Sequence, residues 1–303
     1  MVVKILDFIF MSRPMLLIPV WTVYLHYLSD CTVSGYGNAS INLQFIWQLI
    51  VLGLVFAGTY IINQIFDIES DRANNKLFFL PGGIISIEAA WIYYGLLTAA
   101  GLGFAYFISR HTFYVALYIV ILGIMYSAPR IRLKDNLFGG LLANAVAYGF
   151  LIPFMIGLFC AGRLPALSSI PYFLAIATGY ILTTLPDYEG DVISNKLTVA
   201  VVLGERGALI LALLSALATG VISYLISNYE MTIVAGITSL LVAILLFRQN
   251  KSLLLFTCKF PILLLTLLAG AHYPFYLAFL LLTITLTRFY YKKRFDIIYP
   301  KLS

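Results

Sequence analysis

Charge is scarce in this chain: Asp, Glu, Lys and Arg together make up 11% of 303 residues, against 62% hydrophobic ones. That balance excludes an ordinary soluble globular domain, which needs a charged surface to cover its core. Cysteine is nearly missing too, and Cys31, Cys160 and Cys258 stand at spacings that match no metal or disulfide framework. Nothing at the start resembles a removable leader, because the first apolar run begins only after Arg13-Pro14 and lacks a small-residue cleavage pattern. No Ser-His-Asp set, phosphate-binding Gly loop or thiol nucleophile emerges, so covalent catalysis is not expected. The three histidines, His26, His111 and His272, lie far from the acidic motifs and are expected to be interfacial or core polar groups.

What is abundant is apolar sequence in bilayer-length pieces. Ten candidate spans can be drawn, at 14–30, 43–63, 87–109, 112–127, 137–161, 168–186, 206–227, 231–247, 252–268 and 271–290. Backbone groups in hydrocarbon must be paired internally, and continuous apolar runs without strand-like alternation choose helices over a barrel. The net charge of +6 does not point to nucleic acid. With a cytoplasmic N-terminus, the inner loops carry Arg72, Lys76, Arg130, Arg132, Lys134, Lys196, Arg206, Arg248 and Lys251, whereas the outer loops carry only Arg110 and Arg163. This is the asymmetry that orients multi-pass proteins. The basic tail Lys292-Lys293-Arg294 fits inside only after an even number of crossings, and Lys259 interrupts the ninth run.

Of thirteen acidic residues, six fall in two short stretches: Asp67, Glu69 and Asp71, then Asp187, Glu189 and Asp191. Each continues as x-x-x-Asn-Lys, ending at Lys76 and Lys196, which makes an internal repeat. Asn63, Asp67 and Asp71 are spaced i, i+4, i+8, so a helix places them on one face; Asp187 and Asp191 are related likewise. Both motifs end even-numbered spans and therefore reach the same membrane side. Carboxylates gathered there repel one another, and an all-oxygen donor set without His or Cys suits magnesium. Two separated groups point to two ions bridged by a diphosphate. Span four ends in Tyr126-Ser127-Ala128-Pro129-Arg130-Ile131-Arg132-Leu133-Lys134, whose cations reach the same address and suit a polyanion. Polar loops beyond helix ends, with basic residues as simple anchors, are the plain alternative.

Four segments, in this order and placement, resemble the UbiA superfamily of intramembrane prenyltransferases over nearly the whole chain. They are Asn63 to Asn74, Leu80-Pro81-Gly82-Gly83-Ile84-Ile85-Ser86, Tyr126-Ser127 to Lys134, and Asp187-Tyr188-Glu189-Gly190-Asp191 with Lys196-x-Thr198 and Leu203-Gly204. Gln64, Phe78 and Asn195 depart from the family pattern, which bears on substrate subclass more than on reaction. The resemblance implies an all-α, polytopic bundle of nine transmembrane helices around a central cavity. Nine conflicts with the ten drawn spans, so 252–268 or its neighbour is expected to lie partly in the interface. The domain is single, 1–303, with cytoplasmic cap loops at about 64–86, 128–136 and 187–205.

It further implies a prenyltransferase that moves a prenyl group from an allylic prenyl diphosphate to a lipophilic acceptor, an aromatic quinone precursor being preferred over a glycerol-phosphate lipid. Asn63, Asp67, Asp71, Asp187 and Asp191 are the expected Mg2+ ligands, with those aspartates and Tyr126 catalytic. Arg13, Arg72, Ser127, Lys134 and Lys196 are the expected diphosphate contacts. Membrane lipid, and no nucleic acid, completes the partner set. A reading of a different class, an ion-coupled secondary transporter, also uses inward carboxylates and an internal repeat. Its site belongs near the bilayer midplane instead of at helix ends.

Overall fold

The computed structural model describes residues 2–33, 43–73, 79–160, 164–193, 196–248 and 250–300, and among these every regular element is helical. Lys76, Phe78, Arg163 and Asn195, and with them part of the proposed cap loops, lie outside the described residues. The chain runs α1 (Val2–Met11), α2 (Ile18–Val33), α3 (Leu43–Phe66), α4 (Ile68–Ala73), α5 (Ile87–Ile108), α6 (Arg110–Ser127) and α7 (Leu137–Asn144). A π-helical stretch, Ala145–Leu151, joins α7 to α8 (Ile152–Gly157). Then come α9 (Pro165–Thr184), α10 (Tyr188–Ile193), α11 (Val199–Leu225), α12 (Tyr229–Phe247), α13 (Lys251–His272) and α14 (Pro274–Phe295).

Local signals account for many of these boundaries. Ser86 caps α5 by accepting from the Ala89 amide, Ser109 caps α6 through Thr112, Asn228 caps α12 through Met231, and Asn250 caps α13 through Ser252. Pro165 and Pro274 stand at the first helical positions of α9 and α14, where the missing N–H costs nothing. Gly204, at φ 68°, breaks α11 near its start, so its unbroken part begins where the apolar run does.

Among the described residues nine helices are long and apolar enough to cross a bilayer, and the bent pair Ile5–Met11 with Pro14–Cys31, folded by 41°, makes a tenth. The run 252–268 lies within α13, a continuous 22-residue helix that is long and apolar enough to cross, and α14 follows at full length. Lys259 is tolerated because it is exposed and only two turns from the start of α13, near enough for its stem to lead the ammonium to the interface. The crossing that falls short alone is the first one, at the Arg13-Pro14 bend.

Large apolar side chains such as Ile92, Leu96, Phe107, Leu214 and Leu281 are exposed around the outside, as a lipid-facing surface requires. Inside, hydrogen bonds between helices supplement apolar packing. Thr22 joins Thr266 and Tyr276 at 2.8 and 2.7 Å, Tyr24 donates to Gln48 at 2.7 Å, and His26 pairs with Tyr172 at 2.7 Å. Glu230 lies between His26 and His272, at 3.2 and 2.8 Å, so both histidines are polar packing groups, and His111 is exposed.

One expectation is overturned. Cys31 and Cys160 form a disulfide with Cα atoms 6.1 Å apart, at the end of the bundle opposite the acidic motifs. The pairing spans 129 residues and depends on the ends of α2 and α8 meeting, which spacing cannot convey. Cys258 remains a thiol.

The π-helical stretch packs directly on α9. A Cβ at Gly149 would stand 2.5 Å from the carbonyl oxygen of Tyr172 and 2.6 Å from the Cα of Phe173. Because both obstacles are backbone, Gly149→Ala is expected to cost about 1–3 kcal/mol as overpacking. Thermal unfolding in detergent checks this: a midpoint unchanged from the parent would show that the two helices yield.

Candidate active site

The functional end of the bundle is assembled from the close of α3, the loop after α6, and the turn between α9 and α10. The helical register continues through Asp67, whose amide donates to the Asn63 carbonyl at 3.1 Å while the Asp71 amide donates to Asp67 at 2.7 Å. Asn63, Asp67 and Asp71 therefore share one face, and Glu69, two residues out of phase, is exposed. The same logic repeats at α10, where the Asp191 amide donates to the Asp187 carbonyl at 2.9 Å; Asp191 is buried, while Asp187 and Glu189 are exposed.

The loop at 128–136 stitches the two acidic motifs together. Pro129 stops α6 just after its C-cap, and Arg132 turns the chain in the left-handed region at φ 40°. Lys134 Nζ is ion-paired with Asp67 Oδ1, and Arg132 Nη2 stands 3.8 Å from the same oxygen. Arg132 Nε reaches Asp135 at 2.6 Å. The Asp135 carbonyl in turn accepts from the Leu197 amide at 3.1 Å, beside Lys196, whose Nζ is 3.5 Å from Asp191. A ladder thus runs from Asp67 to Asp191: ion pairs join Asp67, Arg132 and Asp135, a backbone hydrogen bond bridges Asp135 to Leu197, and Lys196 stands by Asp191. Tyr126, near the end of α6, lies in the cavity wall beneath it.

Below the ladder opens a cavity of about 220 Å³, lined by Arg13, Asn63, Tyr126, Asn144, Tyr60 and Tyr148 among others. Arg13 also sits in the left-handed region, at φ 55°, at the bend before α2. Left-handed non-glycine residues of this kind cost of order 1–3 kcal/mol and gather where surroundings over-determine them. Ser127 is buried and accepts from Asn63 Nδ2 at 3.2 Å. A second, mostly apolar chamber of about 370 Å³ adjoins the first between α9, α11, α12 and α13.

Of the residues singled out from the sequence, Asn63, Tyr126 and Arg13 line the first cavity, while Asp67, Ser127, Lys134, Asp191 and Lys196 are tied into the network around it. Asp71 follows on the Asp67 face, and Asp187 is exposed one helical turn before Asp191. Arg72 is not brought in; it is exposed at the end of α4 and absent from the cavity wall. Three contributors were not anticipated: Asp135 as a link in the ladder, Asn144, and the tyrosine pair Tyr60 and Tyr148. Asn144 carried a readable signal, an amide inside an apolar span, where polar groups are costly and functional.

Among the described residues no three His, Cys, Asp or Glu side chains converge as a ready-made metal cage. The donors come instead as oxygen-only pairs from two motifs. That set fits Mg2+, which usually keeps waters and takes one or two carboxylates plus substrate phosphates. Neighbouring cations already balance the carboxylates.

Comparison with known proteins bears on family and fold. A digeranylgeranylglyceryl phosphate synthase of Saccharolobus solfataricus is 29% identical over 160 residues, 51% of this chain and 55% of that protein. A probable homogentisate phytyltransferase 2, chloroplastic, of Oryza sativa subsp. japonica is 32% identical over 173 residues, 52% of this chain and 44% of its own length. The chain thus spans about half the length of these two curated relatives. In solved structures the same fold occurs in a UbiA homologue from Archaeoglobus fulgidus bound to GPP and Mg2+, with a TM-score of 0.66 at 24% identity over 88% of this chain and 98% of that one. The profile of the UbiA prenyltransferase family matches residues 19–256, so the chain, an integral multi-pass membrane protein, belongs to that family.

Proposed function

We propose that this protein is a magnesium-dependent intramembrane prenyltransferase that moves a prenyl group from an allylic prenyl diphosphate to a lipophilic acceptor. One observation carries the proposal. Two acidic motifs 120 residues apart are joined through the basic 128–136 loop, which ion-pairs with Asp67 and accepts from the Leu197 amide beside the Lys196–Asp191 pair. They meet over a cavity with polar and apolar walls, an arrangement that suits a diphosphate with a hydrocarbon tail.

Asn63, Asp67, Asp71, Asp187 and Asp191 would hold two Mg2+ ions, directly or through water, and metal charge would stabilise the departing diphosphate. Lys134, Lys196, Arg132 and Arg13 are placed to contact phosphate oxygens, Ser127 orients Asn63, and Arg72 contributes least. As the donor's carbon–oxygen bond breaks, the electron pair leaves with the diphosphate. The allylic cation is sheltered by the Tyr126 ring face and by apolar walls that keep out water. The acceptor's nucleophilic atom then bonds to that carbon and releases a proton.

The acceptor proposed is an aromatic quinone precursor. A glycerol-phosphate lipid is the second reading, favoured by the match to digeranylgeranylglyceryl phosphate synthases, one of them 27% identical over 77% of this chain. Purified protein in nanodiscs, given Mg2+ and donors from dimethylallyl to geranylgeranyl diphosphate, is expected to release diphosphate when the right acceptor of such a panel is supplied. No release with any pairing would overturn the enzyme assignment and leave ion-coupled flux in proteoliposomes as the next measurement.

The site is proposed to face the cytoplasm. Disulfides persist in oxidising compartments, and Cys31–Cys160 lies at the bundle end away from the acidic motifs. Together with the basic inner loops, this supports an extracytoplasmic disulfide and a cytosolic ladder. In intact cells, a membrane-impermeant reductant followed by an impermeant maleimide should label the parent but not a Cys31→Ser, Cys160→Ser double variant. Equal labelling of both would reverse the orientation.

A further inference from the structure

The two chambers share only a few residues, and two of these form a closed contact. Tyr60 and Tyr148 both line both chambers, and their hydroxyls are 2.8 Å apart. Tyr60 donates to the Leu16 carbonyl at 2.8 Å, which leaves its oxygen to accept from Tyr148. Each tyrosine hangs one helical turn beneath a polar residue of the site, Tyr60 below Asn63 and Tyr148 below Asn144. Phe56, a further turn down α3, packs on Tyr148 with ring centroids 4.6 Å apart.

The pair is held in place. Tyr148 belongs to the π-helical stretch, an irregularity that recurs at functional sites. The next residue, Gly149, lies against the backbone of α9 too closely for any side chain. Tyr148 therefore cannot retreat with its backbone; opening the wall requires its ring to rotate and its hydrogen bond to break.

The chambers differ in what they admit. The first, about 220 Å³ with the diphosphate address at its mouth, is smaller than the roughly 300–1,000 Å³ of pockets that enclose drug-sized ligands, whereas the second, about 370 Å³, is not. Threonines facing the second chamber spend their hydroxyls on their own helices: Thr178 donates to Leu174, Thr219 to Ser215 and Thr238 to Val234, at 2.7–2.9 Å. What remains is a mostly apolar space with no charged group in its lining, its other polar groups being Asn144, Thr183, Cys258 and tyrosine hydroxyls.

We infer that the hydrogen-bonded pair Tyr60–Tyr148 is the partition that sets prenyl-donor length, confining the bound chain to the first chamber and selecting geranyl over geranylgeranyl diphosphate. This rests on the prenyl-diphosphate reading of the site above. Removing the Tyr148 ring joins the chambers and gives a long chain the second space to occupy.

The test is binding, so the acceptor need not be known. The full chain in nanodiscs with Mg2+ is titrated with the non-ionisable thiolo-diphosphate analogues of geranyl and geranylgeranyl donors. The parent is expected to favour the geranyl analogue by about tenfold or more in Kd, and Tyr148→Ala to move that ratio by at least about tenfold toward the longer one. Tyr148→Phe, which keeps the ring and loses only the hydroxyl, should stay within about threefold of the parent ratio. If Tyr148→Ala loses its melting transition, Tyr148→Leu carries the same measurement with a bulkier apolar residue. A parent that binds both analogues equally, or a ratio unmoved in the folded variants, overturns the partition alone. A parent that binds neither analogue overturns both the partition and the site assignment beneath it.

Discussion

Asp67→Ala and Asp191→Ala are each expected to lower prenyl transfer by about a thousandfold or more while leaving the helical bundle folded. The size follows from what the carboxylates are proposed to do. Metal charge on a departing diphosphate contributes several kcal/mol, and about 4 kcal/mol corresponds to about a thousandfold in rate. The Asp67 side chain is only 17% exposed and that of Lys134 12%, so each variant strips a mostly buried lysine of its partner. That costs up to about 3–5 kcal/mol, which the long stem of Lys134 or Lys196 reduces by leading the ammonium out to water at the helix ends. Asp67→Asn separates charge from shape, since an amide preserves volume and can still accept from Lys134. It should lose as much activity as alanine. Diphosphate release at saturating donor, with circular dichroism on the same samples, makes the comparison; full turnover in either alanine variant removes these carboxylates from the chemistry.

Chelation with EDTA should stop turnover entirely, and in direct titration should weaken donor binding by about 100-fold or more, about 2.7 kcal/mol. The reason lies in the resident cations. Lys134 already pairs with Asp67, and Lys196 stands 3.5 Å from Asp191, so a divalent ion arriving alone must displace an ammonium group at each carboxylate. When the diphosphate arrives with it, both lysines gain phosphate oxygens as new partners. Each ligand therefore relieves the cost of binding the other, and by linkage the coupling must be reciprocal. The prediction is weak Mg2+ binding to the protein alone and tight binding in the presence of a non-ionisable donor analogue. Donor affinity unchanged by EDTA would place the diphosphate on the lysines and arginines alone.

Much of the site was legible because its signals are local. Helical spacing alone put Asn63, Asp67 and Asp71 on one face and left Glu69 off it, and the backbone bonds from Asn63 through Asp71 explain why. Asp191 repeats this beside Lys196. Arg72, one residue past Asp71, lies off that shared face by the same spacing, and it is exposed. Asp135 could not be read this way. As a lone acid beside two cations it resembles loop chemistry, and only the approach of the 196–197 backbone turns it into a link between the motifs.

From its residues alone the chain determined its solvent, its all-helical class, most helix ends and the identity of the acidic faces, because each depends on composition or on neighbours within a few turns. The tertiary structure decided the rest. It joined Cys31 to Cys160, carried α13 and α14 through at full length, drew the 128–136 loop between the two motifs, and closed Tyr60 on Tyr148. All but the helix lengths pair groups 62 or more residues apart in sequence. Such contacts depend on how whole helices pack, and no periodicity along the chain records which helix becomes the neighbour of which.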